Sequence, residues 1–337
     1  MSNIIDVFKD DRFSLTSMSE ALQKVYTPPK KVFNLFTPMP INTPDFVLDV
    51  RERHFNILPM QQRGEPIPQR RFRKGAMTSL STYRIGEGAK LMAAELAFLR
   101  QFGTPDQMVE AAMVELAVRQ QQLITDHDAT LEHMALGAID GLLLDHDGTV
   151  VVDFFEIFDM TRPASVGLPL ATATDGELRE LIEKMICIPI EDAAAGAQFS
   201  TILAECGDDA WFALMKNPEV RETFKVQLQG MELRQETRNT PFYFAGVMWS
   251  RYPRDAQGKI ALATDQVKFY PGGAGNTVFR DVQGPGETFA ELGQYGKPIY
   301  ARVIPDRDRD TYVESEIMSY RNLMCTRPGM LRRGHVS

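Results

Sequence analysis

A chain of 337 residues with 44% hydrophobic side chains is long enough for about two packed cores at roughly 150 residues each. Its 45 acidic side chains against 37 basic ones give a formal charge of −8, which argues against a dedicated nucleic-acid binder. No stretch approaches the ~20 consecutive apolar residues of a membrane helix, and "MSNIIDVFKDDRFS" lacks the charged-then-apolar order of a secretion signal, so the expectation is a chain that stays in the cytoplasm.

Residues 1–45 read as an arm. "FSLTSMSEALQKVY" suits a short helix capped by Thr16 or Ser17 with Met18, Leu22 and Val25 on one face. Five prolines between Pro28 and Pro44 then argue against regular structure, yet the segment carries Val32, Phe33, Leu35 and Phe36, which must bury themselves against something else. Residues 46–88 resemble two strands, "FVLDVRERHFNIL" and "MTSLSTYRIG", joined by a turn rich in Gly, Pro and Arg. From Arg51 to Lys90 there are nine basic residues and three acidic ones, a local charge of +6 that leaves −14 elsewhere. Such a projection is either a solvated hairpin or a basic loop that docks on an acidic surface of a second copy, with Arg70, Arg71, Arg73 and Lys74 as its candidate contacts.

The strongest helical signal follows. Thr104 suits the N-cap, Pro105 the first helical position, Asp106 the dipole, and Gly141 the stop. Val109, Met113, Leu116, Leu123, Leu131, Met134 and Ala138 recur at helical spacings, predicting a continuous rod of ~50 Å, longer than the usual globular helix. Next comes "GLLLDHDGTVVVDFFEIF", two apolar runs around Asp145 to Gly148, the second of them, Val150 to Phe158, reading as a strand. A helix capped by Thr174 or Asp175 carries Leu178, Leu181, Ile182 and Met185 along one side. Residues 198–300 mix short strands ("FSTILAE", "PFYFAGVMWSRY", "QVKFYP", "PIYARVI") with one helix around "DDAWFALMKNPEVRETF", and a final strand ends at Pro328.

Chemistry is sparsely signalled. Asp145-x-Asp147-Gly-Thr has the pattern of a haloacid dehalogenase nucleophile and proton donor, and Asp208 with Asp209 could supply the acidic pair such an enzyme uses for magnesium. Against this, the motif follows a long helix, only Leu142 to Leu144 precede it, no cap segment follows it, and Asp208 or Asp209 can serve as a helix cap. The simpler reading is a hairpin whose turn uses Gly148 at positive φ, with the aspartates bonding local amides. The five histidines, His54, His127, His133, His146 and His335, form no ligand pair at i, i+4 and read as surface or boundary residues. Cys187, Cys206 and Cys325 read as buried free thiols, and "YPGGAGNTVF" lacks the Lys-Ser/Thr of a phosphate loop. No catalytic residue, cofactor or metal is expected.

Four stretches carry a family resemblance: "LAECGDDAWFALMKNPEVRETF", "PFYFAGVMWSRYPRD", "ETFAELGQYGKPIYAR" and "ESEIMSYRNLMCTRPGMLRRG". With their Cys-Gly before an aromatic-x-x-Leu helix, Gly-Lys-Pro-x-Tyr strand and closing Arg-Pro segment, in that order, the chain resembles the lambda-type major head proteins of tailed bacteriophages, the major capsid protein E family. The resemblance implies the α+β Hong Kong 97-type coat fold: an N-terminal arm at 1–45, an extended loop at 46–90, and a peripheral domain at 91–197 with spine helix and β-hairpin. An axial domain at 198–305 and a return strand within 306–337 complete it. It further implies a structural, non-enzymatic protein that assembles through pentamers and hexamers into an icosahedral shell around double-stranded DNA. Its partners would be copies of itself with scaffold, portal and decoration proteins, and its place the virion capsid, assembled in the host bacterial cytoplasm.

Overall fold

The computed structural model describes residues 31–50, 76–95, 105–174, 176–194, 196–229, 241–253, 260–273, 277–306, 308–309 and 311–337. In chain order the strands are β1 (Thr37–Pro40), β2 (Asp45–Val50), β3 (Ala76–Ser81), β4 (Tyr83–Met92), β5 (Leu142–Leu144), β6 (Val150–Asp153), β7 (Val166–Leu168), β8 (Thr201–Cys206), β9 (Phe242–Phe244), β10 (Val247–Arg251), β11 (Gln266–Gly272), β12 (Phe279–Gln283), β13 (Tyr300–Pro305), β14 (Tyr312–Cys325) and β15 (Arg332–Val336). The helices are α1 (Pro105–Ala138), α2 (Phe154–Ile157), α3 (Glu177–Ile182), α4 (Ile188–Ala194), α5 (Asp208–Lys216) and α6 (Pro218–Gln229).

Two sheets hold these elements together. In the first, β14 pairs antiparallel with β4 along residues 312–321, with β13 along 313–318 and with β12 along 321–325. β1 extends this sheet by pairing parallel with β12. The second is a six-stranded mixed sheet in the order β7-β15-β11-β8-β10-β9. One continuous core joins them, from Val32 and Phe36 through Leu131 and Phe154 to Trp249, Phe269, Phe279 and Leu323.

Helix α1 runs 34 residues, about 50 Å at 1.5 Å per residue. Leu116, Leu123, Leu131 and Ala138 are buried at spacings of seven, eight and seven, so one stripe faces the protein along the helix. Val109 and Met113 lie outside the described side chains. A second column at spacings of seven, Gln120, His127 and Met134, is buried as well, and its two polar members meet β14. Gln120 Nε2 donates to Ser315 Oγ at 3.1 Å, and His127 Nε2 lies 2.7 Å from Ser319 Oγ. His127 is therefore a core residue rather than a boundary one. The helix stops at Gly141, which takes φ +76°. A Cβ there would lie 2.5 Å from the Phe155 ring, so glycine is needed twice over, for the left-handed turn and for the close approach.

Several local expectations need correction. The run Val150 to Phe158 is not one strand: β6 ends at Asp153, whose Oδ1 accepts the Phe155 amide at 2.8 Å and caps the short helix α2. The segment 208–224 makes two helices, because Asn217 adopts an extended conformation and its Oδ1 accepts the amides of Glu219 and Val220 to start α6 at Pro218. Neither Asp208 nor Asp209 caps α5; Gly207 is the N-cap and both aspartates lie in the first turn. Met185 is exposed, while Leu178, Ile182, Ile186, Ile190 and Ala194, each four apart, hold the buried face as the helix widens to a π turn over Glu183–Cys187. The proline-rich segment is regular after all: Phe33–Leu35 forms a 3-10 turn and β1 is a strand despite Pro38 and Pro40. After Pro328, which opens another 3-10 turn, the chain adds β15 to the second sheet. Cys187, Cys206 and Cys325 are all buried and free, as expected.

Replacing Gly141 with Ala is expected to lower unfolding free energy by about 2 kcal/mol or more, from the left-handed backbone penalty and the Phe155 clash. Denaturant unfolding of the variant measures it; an unchanged midpoint would refute the steric argument.

Candidate functional site

The Asp145-to-Gly148 motif is the tip of the β5–β6 hairpin. Gly148 has φ +83° and its amide donates to the Asp145 carbonyl at 3.0 Å, which closes the turn. Asp145 Oδ1 accepts the His146 amide at 2.7 Å, and Asp147 Oδ1 accepts the Thr149 amide at 2.8 Å. The His146 amide chiefly holds the Asp145 carboxyl below its ordinary value, and the Thr149 side chain and amide do the same for Asp147. Both carboxylates are exposed and already serve the turn. Asp145, His146 and Asp147 offer donor atoms within 4.8 Å of one another, all of them solvated. Asp208, proposed as part of an acidic pair, instead receives Arg251 Nε at 2.8 Å. A general acid or nucleophile needs a desolvated, convergent setting, and neither carboxylate of this turn has one.

The demanding electrostatics lie inside the molecule. Arg321 on β14 is 1% exposed. Its Nη1 donates to Asp281 Oδ2 on β12 at 2.8 Å and its Nη2 to the Pro298 carbonyl at 2.5 Å, while the guanidinium lies 5.4 Å from the Phe33 ring. Gln283 donates a second bond to the same Asp281 oxygen at 2.7 Å. Burial raises the Asp281 carboxyl, with Arg321 and Gln283 opposing that shift.

Two further buried carboxylates grip the arm. Glu132, on α1, accepts the amides of Val32 and Phe33 at 3.1 Å each and the Tyr252 hydroxyl at 3.0 Å. Glu205, on β8, accepts Lys31 Nζ at 2.6 Å, the Ser250 hydroxyl at 2.9 Å and the Tyr270 hydroxyl at 3.3 Å. Burial pushes the Glu205 carboxyl up, and Lys31, Ser250 and Tyr270 pull against it. Just past the C-terminal end of α1, Asp140 gathers Arg162, Lys268 and Arg333 within 3.6 to 3.7 Å. Lys268 also donates to the Leu136 carbonyl at 3.0 Å, covering an unpaired helix-end acceptor.

Sequence reasoning missed these groups. Gln120 and His127 left a trace, as polar members of an otherwise apolar column spaced by seven. Glu132, Glu205 and Arg321 left none, because their hydrogen-bond partners lie 23 to 174 positions away. The predicted contacts Arg70, Arg71, Arg73 and Lys74 lie outside the described residues; the antiparallel pair β2–β3, Asp45 opposite Ser81 through Val50 opposite Ala76, forms the described base of that loop.

The chain thus combines a long helix laid on an antiparallel sheet, a second mixed sheet, a paired β2–β3 segment and interior charges that tie distant segments together, an architecture built for structure. Residues 14–336 match the family described as phage major capsid protein E. The chain belongs to that family: it is a structural major capsid protein and not an enzyme. It is 24% identical over 365 residues to the major capsid protein of Salmonella phage Felix O1, covering 95% of each chain. Its fold is the α+β Hong Kong 97-type coat fold. The structure is similar to that of a protein of an E. coli CFT073 prophage described as a capsid protein, with TM-score 0.57 at 12% identity over 96% of this chain and 99% of the other. It is also similar to a chain of the mature capsid of bacteriophage PhiM1, with TM-score 0.51 at 10% identity over 93% and 88%.

Arg321→Ala strands Asp281 in the core and is expected to cost about 3–5 kcal/mol of stability; a loss below 1 kcal/mol on denaturant unfolding would show that the pair is dispensable. Burial, with Arg321 nearby, depresses the His127 imidazole to about 3 from its ordinary 6.5, so the native state holds it neutral. That contribution is fully present above pH 6.5 and is lost as pH falls from there toward 3. Between pH 6.5 and 4.5 the wild type should therefore lose about 2 kcal/mol more stability than His127→Gln. Parallel pH profiles for the two proteins would expose an error in this assignment.

Proposed function

We propose that copies of this chain associate into pentamers and hexamers that close an icosahedral shell around double-stranded DNA. The observation that carries this reading is the membership of residues 14–336 in the major capsid protein E family, joined to the Hong Kong 97-type fold. Charge is consistent with it, since a net of −8 avoids gripping the packaged DNA.

The proposed division keeps five parts. Residues 1–45 act as the arm, 46–90 as the extended loop, 91–197 as the peripheral domain, 198–305 as the axial domain and 306–337 as the return to the peripheral domain. Sheet pairing crosses these bounds: β12 and β13, within 198–305, join the sheet beneath α1, while β7, within 91–197, and β15, within 306–337, join the six-stranded sheet. Arm and extended loop are the reaching parts, and copies of the chain are the surfaces they reach. Scaffold, portal and decoration proteins complete the partner set, and assembly takes place in the host cytoplasm before the shell becomes part of the virion.

Electron microscopy of cells expressing the chain tests the reading, with closed particles expected. Reversing charge at Arg70, Arg71, Arg73 and Lys74 together should reduce particle formation far more than it changes the melting transition. Normal particles from the quadruple variant would remove this loop from the set of assembly contacts, and a monomer at every concentration and salt would defeat the coat reading.

A further inference from the structure

Between β12 and β13 the chain makes a turn that holds large apolar side chains away from the protein. Phe289 is 98% exposed, and Leu292 and Tyr295 are each 68% exposed. Single exposed apolar residues need no explanation, but three within seven positions do.

The turn is fastened on every side. The Leu292 amide donates to the Thr288 carbonyl at 3.1 Å, so Phe289 and Leu292, three apart in a helical turn, share a side. Glu291 Oε2 accepts the Thr288 hydroxyl at 2.6 Å and Arg302 Nη2 at 3.2 Å. At the entry, the Gly284 amide donates to the Tyr320 carbonyl at 2.8 Å. At the exit, the Gly296 amide donates to the Ile41 carbonyl at 2.9 Å, and Arg321 holds the Pro298 carbonyl. A Cβ on Gly296 would lie 2.1 Å from the Gln283 carbonyl oxygen, so this strand of the loop lies hard against the sheet. A knob already ordered in this way loses little conformational entropy when it docks.

We infer that Phe289, Leu292 and Tyr295 form a preorganised docking knob that inserts into a second copy of this chain; the inference rests on the coat reading above. The size of the knob, with the coat reading that surrounds it with copies of this chain, selects that occupant. The knob offers roughly 400 Å² of surface, about half of one side of a standard interface, which is too little for a lasting dimer and suited to one of several contacts within an assembly. Both carboxylates of residues 287–296, "ETFAELGQYG", are already paired within the chain, Glu287 with Arg84 at 3.1 Å and Glu291 with Arg302 at 3.2 Å, so the knob meets its partner through apolar surface rather than charge.

The test uses the full chain and two variants, Phe289→Ser and the triple Phe289→Ser/Leu292→Ser/Tyr295→Ser. Both should keep the wild-type circular dichroism spectrum, because the replaced side chains are largely solvated. Particle yield by sedimentation and electron microscopy should fall at least about tenfold in the triple variant and less in the single one. As a check independent of folding in the triple variant, p-benzoylphenylalanine at position 289 of the otherwise unaltered chain should photocrosslink, in particles, to a peptide of this same chain. Wild-type yield from the triple variant overturns the knob and leaves the coat reading intact. So does a crosslink only to another protein, only to lipid, or to nothing. A wild-type chain that never forms particles defeats the coat reading and the knob with it.

Discussion

A single buried guanidinium conditions the rest of this structure. Arg321 cannot lose its charge, so the fold must surround it with acceptors, and each acceptor comes from a different part of the chain. Asp281 brings β12, the Pro298 carbonyl brings the loop ahead of β13, and the Phe33 ring brings the arm. The same charge faces His127 across the α1 interface and favours its neutral form. Removing any one of these elements would leave a desolvated cation, which makes their placement mutually dependent. Such an arrangement contributes less to net stability than an apolar core of equal volume, but it accepts few alternative registers.

The arm is held by the same logic. Val32, Phe33 and Phe36 are buried within their own chain, and two desolvated carboxylates, Glu132 and Glu205, fix the backbone and the Lys31 ammonium beside them. The apolar side chains supply the driving force, and the carboxylates determine where the segment lies. An arm anchored at residues 31–36 can direct whatever precedes it from a defined point on the molecule, between α1 and the six-stranded sheet.

Much of this architecture was legible in the sequence, for a physical reason. The length of α1, its Gly141 stop and the Gly148 turn are written in local spacing and in conformations that only certain residues adopt. Strands β8, β10, β11 and β13 showed themselves as short β-branched or aromatic runs. What stayed hidden depended on partners distant in the chain. β1 reads as irregular because its prolines forbid one pattern of pairing but not the edge position it occupies, and His127 reads as peripheral because nothing nearby announces Ser319. The interior carboxylates were silent for the same reason. The exposure of Phe289 was equally invisible, since a sequence does not say which apolar residue a tightly fastened loop will leave outside.

The prolines of β1 have one more consequence. Ile41 directs its amide to Gln283 on β12, so by the alternation of a strand the backbone groups of residues 38 and 40 point the other way. Both are proline, and the outward rim of the first sheet therefore presents carbonyls without donors. A further strand arriving at that rim would find only half a ladder. Chains crowded together at the concentrations a growing particle requires are thus kept from stacking sheet to sheet through this rim, the route that leads to fibres instead of closed particles.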